Sequence, residues 1–284
     1  MKKIKTFLLL LPGLGAILLL MGGTFYIVIA QSLGFFNLAG ENQFSFNHWI
    51  NMLSDTVFHR SLFYSIKVSL LGALGSIIFS YPLAIWLRRP MKYKEVIIGT
   101  LRAPMFVPGL VAAFLFVNII AYHGIINELL VFIGIIDRPI RMQNDEFGWA
   151  VIILQIWKNL PFALILVSGS VNSIRGDVLD AASNLGATRW NIFKYVIFPM
   201  TLSAVQAAFI LIFIGALGDF AFSAIAGPRS TYSLARLMQT TAMEYDNWNG
   251  SAVIAVTIML ITAIVSVLIS VIFTPLSTKK GAIK

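Results

Sequence analysis

The chain has 284 residues, of which 58% are hydrophobic and 12% charged, and its mean hydropathy is +0.85. Soluble domains carry roughly twice that share of charge, so a water-soluble globule and a disordered chain are both excluded. The net charge of +9 reads as a membrane-topology signal rather than a nucleic-acid surface, and the lack of cysteine excludes disulfides, zinc–thiolate sites and thiol chemistry.

A membrane-spanning helix needs about 20 mainly apolar residues. Six stretches qualify, at about 7–30, 62–87, 96–121, 147–168, 201–222 and 252–274. They predict an all-α membrane protein, a single transmembrane domain over residues 1–284. The first stretch, behind Lys2, Lys3 and Lys5, can be read as a cleavable signal, but it is too long for one and reads better as an uncleaved anchor. The third contains Pro104 and Pro108, and a kinked but continuous helix is expected there. Lys and Arg fix the orientation. Fourteen of the 21 fall on the N-terminus, the second loop (Arg88, Arg89, Lys92, Lys94, Arg102), the fourth loop (Arg175, Arg189, Lys194) and the C-terminus (Lys279, Lys280, Lys284). The positive-inside rule makes that side cytoplasmic, both termini included. Trp86, Trp149 and Trp248 lie near span ends, as indoles in interfacial belts do, although each also fits ordinary packing.

Between the third and fourth spans, 127–136 is apolar on one helical face and predicts a short interfacial helix ending near Gly134. The loop between the fourth and fifth spans, about 173–199, carries more pattern. Asp177 can cap a first short helix with Asp180 in its first turn, and Val178, Leu179, Ala182 and Leu185 line one face. Gly186 suits the left-handed residue that ends a helix, and Thr188 can cap a second, whose apolar face is Ile192, Phe193 and Val196. Pro199 marks entry to the fifth span. An apolar elbow on the cytoplasmic side either packs on the chain's own helix ends or awaits a partner.

The run Asp180-Ala181-Ala182, three residues, Gly186, nine residues, Val196-Ile197-Phe198-Pro199 resembles the EAA motif. That motif marks the membrane subunits of binding-protein-dependent ABC importers. Asp replaces the family's Glu, Val its Ile and Phe its Leu, each keeping charge or apolarity. Trp157-Lys158-Asn159-Leu160-Pro161-Phe162 resembles the family's lead-in to this loop. The resemblance implies a type I permease fold in the bacterial cytoplasmic membrane. It implies a coupling helix seated in a cleft of a separate ATPase subunit, two of which carry the ATP and Mg. It also implies a second permease subunit, identical or homologous, and an extracytoplasmic solute-binding protein. Asp180, Ala181, Ala182, Leu185, Gly186, Thr188, Arg189, Trp190 and Pro199 would form the ATPase-coupling surface, Asp180 by charge and Leu185 and Trp190 by apolar area. The segments Gly124–Leu130 and Gly134–Met142 resemble the spermidine/putrescine branch, which shades into permeases for ferric iron, thiamine and phosphonates.

The chain has no G-x-x-x-x-G-K-[ST] loop, so it is expected to bind no ATP, and no catalytic or metal cluster is visible. Charges within spans are costly and mark candidates for the solute path. Asp219 in the fifth span, with Glu244 and Asp246 beyond it, would suit a small cationic solute such as a polyamine. Phe220, Phe222 and Tyr245 would add cation–π faces. Asp219 can equally be an interfacial residue, and Lys158 in the fourth span a snorkelling or intersubunit ion-pair residue. An ion-coupled secondary transporter is the competing class, but it calls for several mid-span carboxylates or repeated broken helices.

Overall fold

The structure, a computed structural model, describes residues 2–36 and 42–278, with side chains for 11–36 and 42–273. The side chains of the terminal lysines that set the topology lie outside the described residues. Thirteen α-helices and no strands are present among the described residues. A long helix, α1 (Lys2–Ser32), is followed by short α2 (Asn47–Ser54) and long α3 (Thr56–Leu87). Next come α4 (Lys94–Arg102), α5 (Gly109–Ile119) and α6 (Ile125–Phe132), then long α7 (Trp149–Ser173). The elbow is α8 (Gly176–Asn184) and α9 (Arg189–Ile192), leading into α10 (Phe198–Leu217). Short α11 (Ala221–Ile225) and α12 (Leu234–Met243) precede long α13 (Trp248–Thr278). Five stretches are long and apolar enough to cross a membrane: Leu11–Ser32, Thr56–Leu87, Trp149–Ser173, Arg189–Leu217 and Trp248–Phe273.

The third expected span differs from a kinked but continuous helix. It is two segments, Lys94–Phe106 and Gly109–Ile119, bent by 103°. The cause is local. Pro108 has no N–H to offer the carbonyl of Pro104 four residues back, and Val107 and Pro108 adopt extended backbone (ψ 122° and 143°). A 3-10 turn over Ala103–Phe106 closes the first segment.

The packed centre is α3 against α7 and α10. Hydrocarbon offers no hydrophobic drive between helices, so small residues that admit close approach decide the packing. One face of α3 supplies them: Ser61, Ser65, Ser69, Ala73, Ser76, Ser80 and Ala84 are all buried. At Gly75 an added methyl would overlap the side chain of Ile156 of α7, so the missing Cβ leaves room for that side chain between the helices. Phe209, Phe213 and Leu217 of α10 complete the core.

Side-chain contacts establish which ends lie together. Arg88, just past α3, donates to the carbonyls of Val171 and Ile174 at the end of α7, at 3.2 and 2.6 Å. These ends and the elbow form one pole. Asn249 at the start of α13 donates to Gln31 O near the end of α1 at 2.7 Å. Phe58 near the start of α3 packs with Leu234 of α12 and with Val253 and Ile254 of α13, so the other pole holds these ends. Against the core, α1 is peripheral: only 6% of its span is buried, and it rests on α13. Trp86 and Trp149 are exposed at the ends of their spans, as expected of interfacial indoles.

Candidate functional site

The elbow begins where α7 ends at Ser173. Ile174 and Arg175 are extended (ψ 122° and 141°) and turn the chain into α8. Arg175, not Asp177, holds the N-cap position. The helix starts earlier than expected, which leaves Asp177 in its first turn, paired with Arg175 at 2.5 Å and close to the positive helix end. Asp180 lies a turn further on, exposed. At the other end of α8, Gly186 adopts φ +79°, the left-handed conformation that its missing side chain allows. Gly186 N–H donates to Ser183 O at 2.9 Å and Ala187 N–H to Ala182 O at 3.1 Å. This paired closure satisfies the last carbonyls of α8 from within the loop. Thr188 then caps α9, its Oγ1 accepting from Asn191 N–H at 3.3 Å.

Pro199 leaves the carbonyl of Tyr195 without its helical donor, and a π-turn over Phe193–Ile197 joins α9 to α10. The elbow is thus tied to two spans, through Ile174 on one side and the π-turn on the other. Its apolar residues divide. Leu179, Ile192 and Phe193 rest against the core, whereas Leu185 is 89% exposed and Trp190 66% exposed. Beside Trp190 an apolar groove of about 470 Å³ opens between Phe193, Phe198 and the last turns of α3 at Tyr81 and Ile85. Packing on the chain's own helix ends therefore accounts for only part of the elbow's apolar surface. Arg88 was missed in the sequence. Its position right after an apolar span, next to Arg89, looked like topology alone, yet it caps the end of α7 on which the elbow stands.

The candidate path residues fall into three places. Asp219 lies just past α10, half-buried, and accepts from Gln155 Nε2 at 2.9 Å and from Phe222 N–H at 3.1 Å. Gln155 is 2% exposed within α7, and Asn159 donates to its Oε1 at 2.9 Å. Gln155 and Asn159 were missed because uncharged amides raise no alarm in a hydropathy scan. Phe220 keeps an exposed face, but Phe222 is 3% exposed and packs on Gly109 at the start of α5. Glu244, Tyr245 and Asp246 form an exposed turn between α12 and α13, where Asp246 accepts from Trp248 Nε1 at 2.9 Å. Lys158 points to neither group. Its Nζ donates to Pro104 O at 2.7 Å, to Met105 O at 3.3 Å and to Val107 O.

The two loop segments with branch resemblance are clasped together. Asn127 of α6, fully buried, donates to Ala121 O and Ile140 O and accepts from Ile140 N–H, each at 2.9 Å. The helix itself ends at Phe132, and Gly134 follows at φ +74°, close to the expected stop.

Known proteins share this fold. Residues 72–277 match the family model described as binding-protein-dependent transport system inner membrane component. The chain is 25% identical over 219 residues to the spermidine/putrescine transport system permease protein PotB of Escherichia coli (strain K12), covering 77% of this chain and 78% of that one. It is 24% identical over 181 residues to the osmoprotective compounds uptake permease protein GgtC of Synechocystis, covering 60% and 64%. A chain of the bacterial alginate ABC transporter, solved with an alginate pentasaccharide-bound periplasmic protein, superposes with a TM-score of 0.79 at 18% identity over 97% of both chains. A chain of the MetNI methionine ABC transporter gives 0.57 at 15% identity, over 78% of this chain and 96% of that one. The chain therefore belongs to the binding-protein-dependent transport system inner membrane components, as a multi-pass permease subunit of an ABC importer.

Proposed function

We propose that the chain forms half of a solute path and couples it to ATP hydrolysis on two separate ATPase subunits, which hold the ATP and Mg. A second permease subunit, identical or homologous, completes the path, and a solute-binding protein delivers to the pole opposite the elbow. The observation that carries this reading is the elbow. It is self-capped and fixed to two spans, and it leaves Leu185 and Trp190 exposed. ATP hydrolysis takes place in water and the solute path in lipid, so a rigid body joined to two spans is what can transmit motion between them. The positive-inside rule, applied to the basic loops, supports a cytoplasmic elbow, on the side where an ATPase is available.

The solute is a small polar cation of the polyamine class. The likeness to a spermidine/putrescine permease supports this class, as does Asp219, a half-buried carboxylate whose bonded partners are neutral. Phe220 beside it adds an exposed ring, and Glu244, Tyr245 and Asp246 form an acidic outer turn.

Uptake in proteoliposomes assembled with candidate ATPase and binding subunits tests the whole reading. ATP-dependent entry of labelled spermidine or putrescine is expected, with the ATPase copurifying through the elbow. Asp219→Asn should raise the apparent KM for the polyamine by about tenfold, the scale of one lost charge-assisted contact. Uptake driven by an ion gradient without the ATPase would refute the permease mechanism. Unchanged uptake and unchanged solute-stimulated ATPase in Asp219→Asn would remove Asp219 from the path.

A further inference from the structure

We propose that Lys158 is a positioning residue: it staples the broken third span to α7, so that motion of the elbow end of α7 reaches the break. The inference rests on the permease reading above and goes beyond it in naming the linkage between coupling surface and path.

The argument starts from backbone accounting. In a continuous helix, Pro104 O would accept from residue 108 and Val107 O from residue 111. Residue 108 is proline and has no N–H, and the ladder of α5 opens with the bond from Ala112 N–H to Pro108 O, so Val107 lies outside it. Inside a membrane such carbonyls must be met by protein or by water in a cavity. Pro104 O gains Val107 N–H at 3.3 Å within the 3-10 turn, a long bond. The remaining capacity is met by Lys158. An ammonium has three N–H donors, and here three carbonyl oxygens surround it, those of Pro104, Met105 and Val107. The positive charge also lies at the C-terminal end of the first segment, where the helix dipole is negative. With its donors occupied in this way, Lys158 has none to offer a solute, and it does not snorkel.

Position on α7 gives the contact its consequence. Three residues before Lys158, on a neighbouring face, Gln155 holds Asp219 at the end of α10. Three residues after it stands Pro161, through which α7 runs on as a single helix. Beyond that point α7 runs to Ser173 and into the elbow. One helix thus grips the third span at its break and the fifth span at its end, and its far end carries the coupling surface. Any tilt of α7 moves Nζ, and with it the carbonyls of the break.

The natural chain has no cysteine, so thiols can be introduced singly. Spin labels at Phe106→Cys, before the break, and Ile153→Cys, on α7, sit on side chains that are 85% and 50% exposed. Inter-label distances are read in the full chain in lipid nanodiscs. Solute imported per ATP is read in the assembled transporter. A narrow distance distribution is expected for the natural lysine. Lys158→Met should broaden it and lower solute per ATP by about tenfold, the scale set by losing a charge-assisted contact. Lys158→Arg, which keeps charge and donors, should recover both in part. If Lys158→Met does not accumulate, Lys158→Gln, with two donors, is read the same way. An unaltered distribution and ratio in the neutral variant would overturn the proposal. A raised KM with an unaltered ratio would overturn it too, by making Lys158 a solute contact. Should the unsubstituted transporter show no ATP-driven uptake, the permease reading fails, while the distance measurement still decides whether the staple exists.

Discussion

In the elbow, the backbone groups freed by the bend find partners a few residues away: Ala187 reaches Ala182, Gly186 reaches Ser183, and Thr188 caps Asn191. At the break in the third span, the freed carbonyls of Pro104, Met105 and Val107 find a partner more than fifty residues away, on α7. The first arrangement holds its shape whatever surrounds it. The second holds only while two helices keep their relative placement. A part that must be gripped and pushed benefits from the first kind of construction, and a part that must open benefits from the second.

Changes at the bend probe the self-contained half of this contrast. The largest effect is expected from Gly186→Val. Beyond its chain neighbours nothing would lie within 4 Å of an added Cβ, so space is ample, but a β-branched residue at φ +79° is strained by about 1–2 kcal/mol or more. The bend should reopen rather than bear it. Membrane insertion and thermal stability of the spans should persist, and solute-stimulated ATPase should fall to its basal rate; full transport by this variant would contradict the elbow's role. Arg88→Met removes two bonds to the end of α7 but little apolar packing. After allowance for its partial exposure, a loss of about 1 kcal/mol is expected. It should appear as faster amide exchange over 171–176, with uptake reduced several-fold. Thr188→Ala should be mildest, at about 1 kcal/mol or less for an exposed cap, lowering the affinity of the ATPase for the permease with no change in the fold of the spans. A larger loss in Thr188→Ala than in Gly186→Val would mean that the second elbow helix, rather than the bend, bears the load.

Hydropathy made the long helices legible, because a bilayer demands about 20 apolar residues whatever they pack against. Boundaries were less so. Here α3 begins at Thr56, ahead of polar His59 and Arg60, because Asp55 caps it by accepting from Val57 N–H at 2.8 Å. The elbow's bend was legible at Gly186 and Thr188, since both act over three or four residues. Its start was not, because the position of Arg175 depends on the extended Ile174 that precedes it, whose carbonyl is held by distant Arg88. The prolines of the third span were visible, but the 103° bend was not. At that bend a lysine on another helix bonds the carbonyls of Pro104, Met105 and Val107, a contact no local pattern announces. Helix α12 falls outside the six apolar stretches, although Ser233 caps it and Leu234, Leu237 and Thr241 share a buried face. Its amphipathic stripe is short, and a scan for spans overlooks it.

The over-wide turn at Phe193–Ile197 accommodates one residue more than an ordinary pitch would take. Because it closes from residue i to i+5 where an α turn closes from i to i+4, the extra residue is absorbed within one turn and the elbow keeps its direction relative to α10. One residue more would have no second wide turn to absorb it, and at about 100° per residue it would swing Trp190 through roughly a quarter of a circle about the axis of α10. Such a lengthened chain would keep every apolar face of the fifth span and still present its indole in the wrong direction.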